Sequence, residues 1–261
     1  MSMPSASEPF NTWDDLGRVV GRLLTAVLFL LPISASAQGP VQGLDHIPIV
    51  VRDLDRAVAD FAALGFVLKP GRPHANGLRN VHAKFADGTE LELISPGAPV
   101  DELSRRYVDW LKQGDGPIAL GLFVPQGTPA PIEGIFFDHR QKSPTDRPAH
   151  FAHPNGASTL AAAWLAGSRA ERALAEFAGG WPVDWPACSP FGTVARVLRL
   201  TDGEIVLLPA SVQRSGRPIV GATVAVASLD PVRRFLPRAV EACRGSLWVE
   251  THGLWLEFRA R

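Results

Sequence analysis

Two side chains able to ligate a divalent cation, His46 and Glu92, lie in short apolar segments that read as strands. The first runs L-D-H-I-P-I-V-V-R-D-L-D from Leu44, and the second is D-G-T-E-L-E-L-I-S-P, ending at Pro96. Side chains alternate faces along a strand, so His46 shares a face with Pro48 and Val50, and Glu92 with Glu90 and Ile94. An imidazole and a carboxylate on facing strands can reach one ion. A carboxylate turned inward also needs a partner, because an unpaired buried charge is costly. Glu90 is a rival to Glu92 on the same face and a candidate to move a proton. His74, Asn80 and His82 stand on the loop and strand that would rim such a site and could orient a substrate oxygen. His139 and His252 read as surface or turn residues.

The elements that must position these groups follow from periodicity. After a strand over residues 44–52, Asp53 can cap a helix in which Leu54, Val58, Phe61 and Leu64 recur at helical spacing. Gly65 ends it, a strand begins at Phe66, and a Gly/Pro/Asn-rich loop covers residues 71–77. Strands over 78–85 and 89–95 flank the Asp87-Gly88 turn, giving a β-α-β-β-β unit. The same order recurs downstream. Residues 160–166, 168–178, 194–200 and 204–208 read as strand, helix and hairpin, and residues 221–227, 230–242, 246–250 and 254–259 as another copy. Between them, residues 116–124, 132–137 and 148–153 read as opening, middle and closing strands of a unit without a clear helix. Units of about 50 residues that cannot bury their own face must pair with neighbours.

Composition excludes several classes. The chain has 261 residues, 46% hydrophobic and 20% charged, with 26 basic against 26 acidic residues. That balance gives no basic surface for nucleic acid. Cys188 and Cys243 are too few for a disulfide scaffold or a thiolate metal site, although one bridge is open. The tryptophans, including the W-P-V-D-W-P loop from Trp181, read mainly as core filling, with the loop as a candidate pocket wall. Arg18 and Arg22 precede an apolar run of roughly a dozen residues that exits through Ala35-Ser36-Ala37, the pattern of a secretory signal peptide. The run is short of the about 20 residues that a membrane span needs. The expectation is export to the periplasm or medium, with cleavage after Ala37.

The stretches L-D-H-I-P-I-V-V-R-D-L-D-R-A-V-A-D-F-A-A-L-G-F, P-G-R-P-H-A-N-G-L-R-N-V and D-G-T-E-L-E-L-I-S-P resemble the vicinal oxygen chelate superfamily, in its glyoxalase-like branch. The resemblance covers residues 44–97, extends more weakly through H-P-N-G-A at 153–157, and beyond that rests on element order. It implies an α+β fold of tandem β-α-β-β-β modules forming cupped mixed sheets, four modules in two pairs. Residues 44–155 would hold the glyoxalase-like domain and 157–261 a degenerate second pair.

Carried over position by position, the resemblance implies His46 and Glu92 as ligands of a divalent ion (Mn, Fe, Zn or Ni). Setting Pro154 over Pro96 puts His150 in the place of Glu92, opposite Ala119, which cannot ligate. The third module offers Ala162 and Leu207, the fourth Gly221 and Glu257. A two-histidine, one-carboxylate set leaves positions open for a chelating substrate. The implied function is a metal-dependent isomerase, lyase or dioxygenase acting on a small molecule with adjacent oxygens. A non-catalytic small-molecule binding protein is the alternative. No nucleic acid or membrane partner is expected for the mature chain, and a homodimer is left open.

Overall fold

The computed structural model describes residues 41–124, 134–140, 143–167, 183–185, 190–213, 217–236, 239–243 and 245–261. Strands β1 (Gly43–Leu44) and β2 (His46–Val50), helix α1 (Leu54–Ala63), and strands β3 (Lys69–Pro70), β4 (Arg79–Lys84) and β5 (Glu90–Ser95) realise the first unit. Helix α2 (Glu102–Leu111) follows, then β6 (Gly116–Pro117), β7 (Leu120–Phe123) and β8 (Ile135–Asp138). The C-terminal part comprises β9 (Ala157–Ala166), β10 (Val183–Trp185), β11 (Ala195–Arg199), β12 (Glu204–Leu208), β13 (Ile219–Val226), α3 (Leu229–Phe235), β14 (Val240–Cys243), β15 (Ser246–Thr251) and β16 (Leu254–Ala260).

Each unit pairs its opening strand in parallel with its closing strand. The five-stranded sheet runs β3-β4-β5-β2-β6, with β2 parallel to β5 in the register His46↔Glu90 and Pro48↔Glu92. The eight-stranded sheet runs β10-β11-β12-β9-β13-β16-β15-β14. Two such units meet there along the antiparallel β9–β13 pair. The remaining sheet, β1-β7-β8, continues the edge of β2 through a hydrogen bond from Asp45 N to Gly121 O of 2.9 Å.

Helix α1 starts where Asp53 accepts the Arg56 N–H at 3.0 Å and ends in a Schellman motif. Phe66 N bonds Phe61 O and Gly65 N bonds Ala62 O. Gly65 has φ +84°, and a Cβ there would press on Asn155 and Phe235. Leu54, Ala57 and Phe61 turn into one core shared with Leu91, Leu93, Val224, Leu256 and Phe258. That core takes one face of the five-stranded sheet, which leaves the other for chemistry.

Several expectations need correction. Residues 148–153 form no closing strand; Pro148–Phe151 is a 3-10 turn with proline at its start, where the missing N–H costs nothing. The strand parallel to β7 is β8 instead. Helix α2, unread in the sequence, is set by a capping box in which Asp101 accepts from Ser104 N and Ser104 Oγ accepts from Asp101 N. Residues 183–185 form an edge strand on β11 rather than a loop. Helix α3 stops at Phe235, because Leu236 precedes Pro237 and leaves the helical region (φ −121°). The helix read over 168–178 and Cys188 with its proposed bridge lie outside the described residues, as does the N-terminal segment. Among the described residues, no helix is long and apolar enough to cross a membrane.

Among the described residues, the C-terminal sheet offers no ligand set. Trp164 and Trp248 pack edge to face at 4.9 Å on the face that carries Glu257. Trp164 Nε1 donates to Thr223 Oγ1 at 2.7 Å, and Thr223 donates to the buried Glu257 at 2.5 Å. Burial raises the Glu257 pKa, against the hydrogen bond from Thr223 and the charge of Arg259.

Candidate metal and ligand site

His46 opens β2, and Glu92 sits mid-strand on the adjacent β5, one residue pair further along. Both side chains face the same cavity of about 560 Å³. His46 Nε2 lies 3.7 Å from Glu92 Oε2, too far for a hydrogen bond. Each group's other polar atom is tied to a neighbour. His46 Nδ1 makes a very short hydrogen bond to Asp45 Oδ1, whose Oδ2 accepts the Arg140 N–H at 2.8 Å. Asn80 Nδ2 donates to Glu92 Oε1 at 2.7 Å. The two remaining atoms therefore lie close enough to share one ion. Two ligands of a first-row ion, each about 2.0–2.2 Å from it, span a separation of this size.

Burial disfavours the His46 imidazolium, but Asp45, Glu92 and Glu90 outweigh it and raise the pKa. Gly121 makes room for the ring, since a Cβ there would stand 3.1 Å from His46 Nδ1 and 2.9 Å from Phe136. Phe136 meets the imidazole edge-on at 4.9 Å.

Among the described residues, the opposite wall of the cavity carries no ligand. Leu120 pairs with Ile135 and Gly121 with Phe136, so one step back Ala119 stands beside Gly134. Glu92 lies two residues beyond the register partner of His46; the same count from Ala119 reaches Phe136. Phe136, not His150, therefore occupies the second unit's closing position. His150 sits on the 3-10 turn, where its Nδ1 accepts from Arg147 N at 3.1 Å, and it does not line the cavity. The three-ligand set with His150 is not assembled.

Glu90, expected to move a proton, is committed elsewhere. It bonds His82 Nδ1 at 3.0 Å and Lys84 Nζ at 3.2 Å, and Lys84 in turn pairs with Asp146 at 3.1 Å. Burial pushes the Glu90 pKa up, but the His82 hydrogen bond and the charges of His82, Lys84 and His46 hold it at about 2. A carboxylate that acidic is a weak base near neutrality. His82 thereby holds Glu90 and Asn80 holds Glu92, and neither lines the cavity. His74 also stands off the cavity wall.

His153 is a structural residue. Its Nδ1 accepts Val67 N–H at 3.0 Å and its Nε2 donates to Lys84 O at 2.8 Å, between the rings of Phe66 and Phe85. His252 lies in the turn between β15 and β16, as expected, and there bridges Asp115 at 2.8 Å and Asp60 at 3.3 Å.

Sequence reasoning missed Asp45, although it adjoins His46, and the whole contribution of α2. Leu103, Arg106 and Tyr107 of that helix cover the cavity. Burial, and then the nearby Glu92 charge, push the Tyr107 pKa up to about 12, against the pull of Arg106. Its hydroxyl therefore stays a donor. A second cluster, Asp45, His46 and Asp138, offers one ligand atom each within 4.8 Å of the others. Both Asp45 oxygens already accept hydrogen bonds and Asp138 Oδ1 accepts from His139 N, so the His46–Glu92 pair is the freer one.

A cupped β-α-β-β-β sheet with an inward histidine and glutamate on adjacent parallel strands defines the class: the chain carries the vicinal oxygen chelate fold. Residues 44–124 match the family described as a glyoxalase-like domain. Similar solved structures include a hypothetical protein from Staphylococcus aureus, at 11% identity and TM-score 0.53, covering 84% of this chain and 99% of that one. A variant of 4-hydroxymandelate synthase from Streptomyces coelicolor aligns at 13% identity and TM-score 0.55, covering 85% and 94%. A variant of homoprotocatechuate 2,3-dioxygenase from B. fuscum aligns at 10% identity and TM-score 0.56, covering 88% and 74%. No curated protein sequence matches the chain.

Proposed function

We propose that the N-terminal cup is a divalent-metal site and that the protein is an enzyme acting on a small molecule with adjacent oxygens. Isomerase, lyase or dioxygenase chemistry fits this reading. The carrying observation is the pair of free atoms, His46 Nε2 and Glu92 Oε2, held 3.7 Å apart in a cavity by Asp45 and Asn80. Outer partners of this kind fix a ligand's orientation and tautomer. An ion bound there supplies Lewis acidity toward a chelating oxygen. The chain's own residues do the rest. Tyr107 offers a hydrogen bond to a substrate oxygen, and Phe136 with helix α2 keeps water out.

A second reading, non-catalytic binding of a small molecule, is favoured by the ligand-free wall of Ala119 and Phe136. Metal analysis of the purified full chain by inductively coupled plasma mass spectrometry separates the two. About one Mn, Fe, Zn or Ni per chain, lost in His46→Ala and Glu92→Gln, supports the enzyme reading. Protein without metal that still binds ligand supports sequestration. Export with cleavage after Ala37 rests on the leader pattern alone, and N-terminal sequencing of protein recovered from the cell envelope tests it.

A further inference from the structure

We infer that the cavity takes an organic acid whose carboxylate is gripped by Arg106 while its apolar body lies against Phe136. This rests on the cup being a ligand site, but not on the metal. Helix α2 places Leu103, Arg106 and Tyr107 at i, i+3 and i+4, so the three share the face turned over the cavity. On the helix's outer side, Lys112 pairs with Asp109 at 2.6 Å. Arg106, in contrast, makes no ion pair among the described residues, and the Tyr107 hydroxyl makes no hydrogen bond among them. A planar guanidinium beside a phenol donor matches the two oxygens of a carboxylate.

The rest of the cavity is unsuited to a second anion. Glu92 also lines it, near enough to Tyr107 for its charge to raise the phenol pKa, and Ile118, Ile135 and Phe136 supply apolar wall. A ligand that fits therefore carries one anionic group, met by Arg106, and an apolar body for this wall. Neutral polar ligands leave Arg106 unanswered, and a plain aliphatic chain leaves the Tyr107 hydroxyl unused.

The test compares 3-phenylpropionate with 3-phenylpropanamide, which share shape and differ in charge, by isothermal titration calorimetry on the full chain. The acid is expected to bind about tenfold or more tightly than the amide. Arg106→Gln removes that preference, Arg105→Gln keeps it, and Phe136→Ala weakens both ligands alike. Equal binding of acid and amide, a preference that survives in Arg106→Gln, or no binding of either at about 10 mM overturns the inference. Metal content measured on the same samples keeps the two claims apart. Metal-free protein that prefers the acid refutes the metal reading alone; metal-loaded protein without the preference refutes only this one.

Discussion

Asp45 and His46, neighbours in sequence, are joined through their side chains: the carboxylate takes His46 Nδ1 and leaves Nε2 facing Glu92. Adjacent residues on a regular strand point to opposite faces. The contact is possible because the chain breaks its ladder at Asp45, between β1 and β2. Arg140 holds the second carboxylate oxygen from a backbone position with φ +50°, so the acid is fixed from both sides.

This arrangement makes Asp45 a positioning residue whose loss should be felt in metal affinity. Asp45→Asn is expected to weaken metal binding by about 10–100-fold without unfolding the chain. Titration with Mn followed by electron paramagnetic resonance, alongside circular dichroism, reads both. Unchanged affinity would show that His46 needs no such support.

Ligand identity is separable by substitution. His46→Ala should empty the site, whereas His150→Ala should retain its metal, because His150 bonds Arg147 N outside the cavity. Loss of metal in His150→Ala would revive the three-ligand set read from the sequence.

The bare wall can be furnished. Phe136 holds the place that corresponds to Glu92, so Phe136→Glu adds a carboxylate to the cup. Metal binding should tighten by about tenfold or more, one added ligand interaction exceeding about 1.4 kcal/mol. Competition with a chelator measures it, and weaker binding would refute the register argument.

Glu90 gives an acid-side signature. Its pKa is lowered from 4.5 to about 2 in the fold, so its stabilisation is complete above the unfolded value and is lost as pH falls from about 4.5 toward 2. The amount is on the order of 3 kcal/mol. Urea unfolding at about pH 6 and about pH 3 should show a steeper loss for the native chain than for Glu90→Gln. Parallel slopes would remove the ion-pair role assigned to it.

His153 acts in a different window. Its pKa is lowered by burial, with a weaker opposing pull from the Lys84 carbonyl. Protonating Nδ1 would also break the bond from Val67 N. Stability should be full above pH 6.5 and decline as pH falls below it through the folded value, since the unfolded chain takes up the proton first. Melting temperatures between about pH 7.5 and 5.5 should fall less in His153→Gln; an equal fall would place the titration elsewhere.

The first unit was legible in the sequence because its signals are local. Asp53 and Gly65 bracket α1, Asp87-Gly88 marks the hairpin, and the alternation around His46 and Glu92 sets their faces. The repeat of closing hairpins disclosed the paired C-terminal units for the same reason. What lay beyond sequence was the register and side-chain partnering between strands distant in the chain. Aligning Pro154 over Pro96 put His150 in the cup, but the register of β8 on β7 put Phe136 there. Glu90 and Glu92 have the same residue type on the same face, and only their neighbours on β4 distinguish them: Lys84 and His82 fix the one, Asn80 the other. Residue type and spacing determined which groups could do chemistry; through-space partners, which depend on how the chain returns on itself, decided which of them are free to do it.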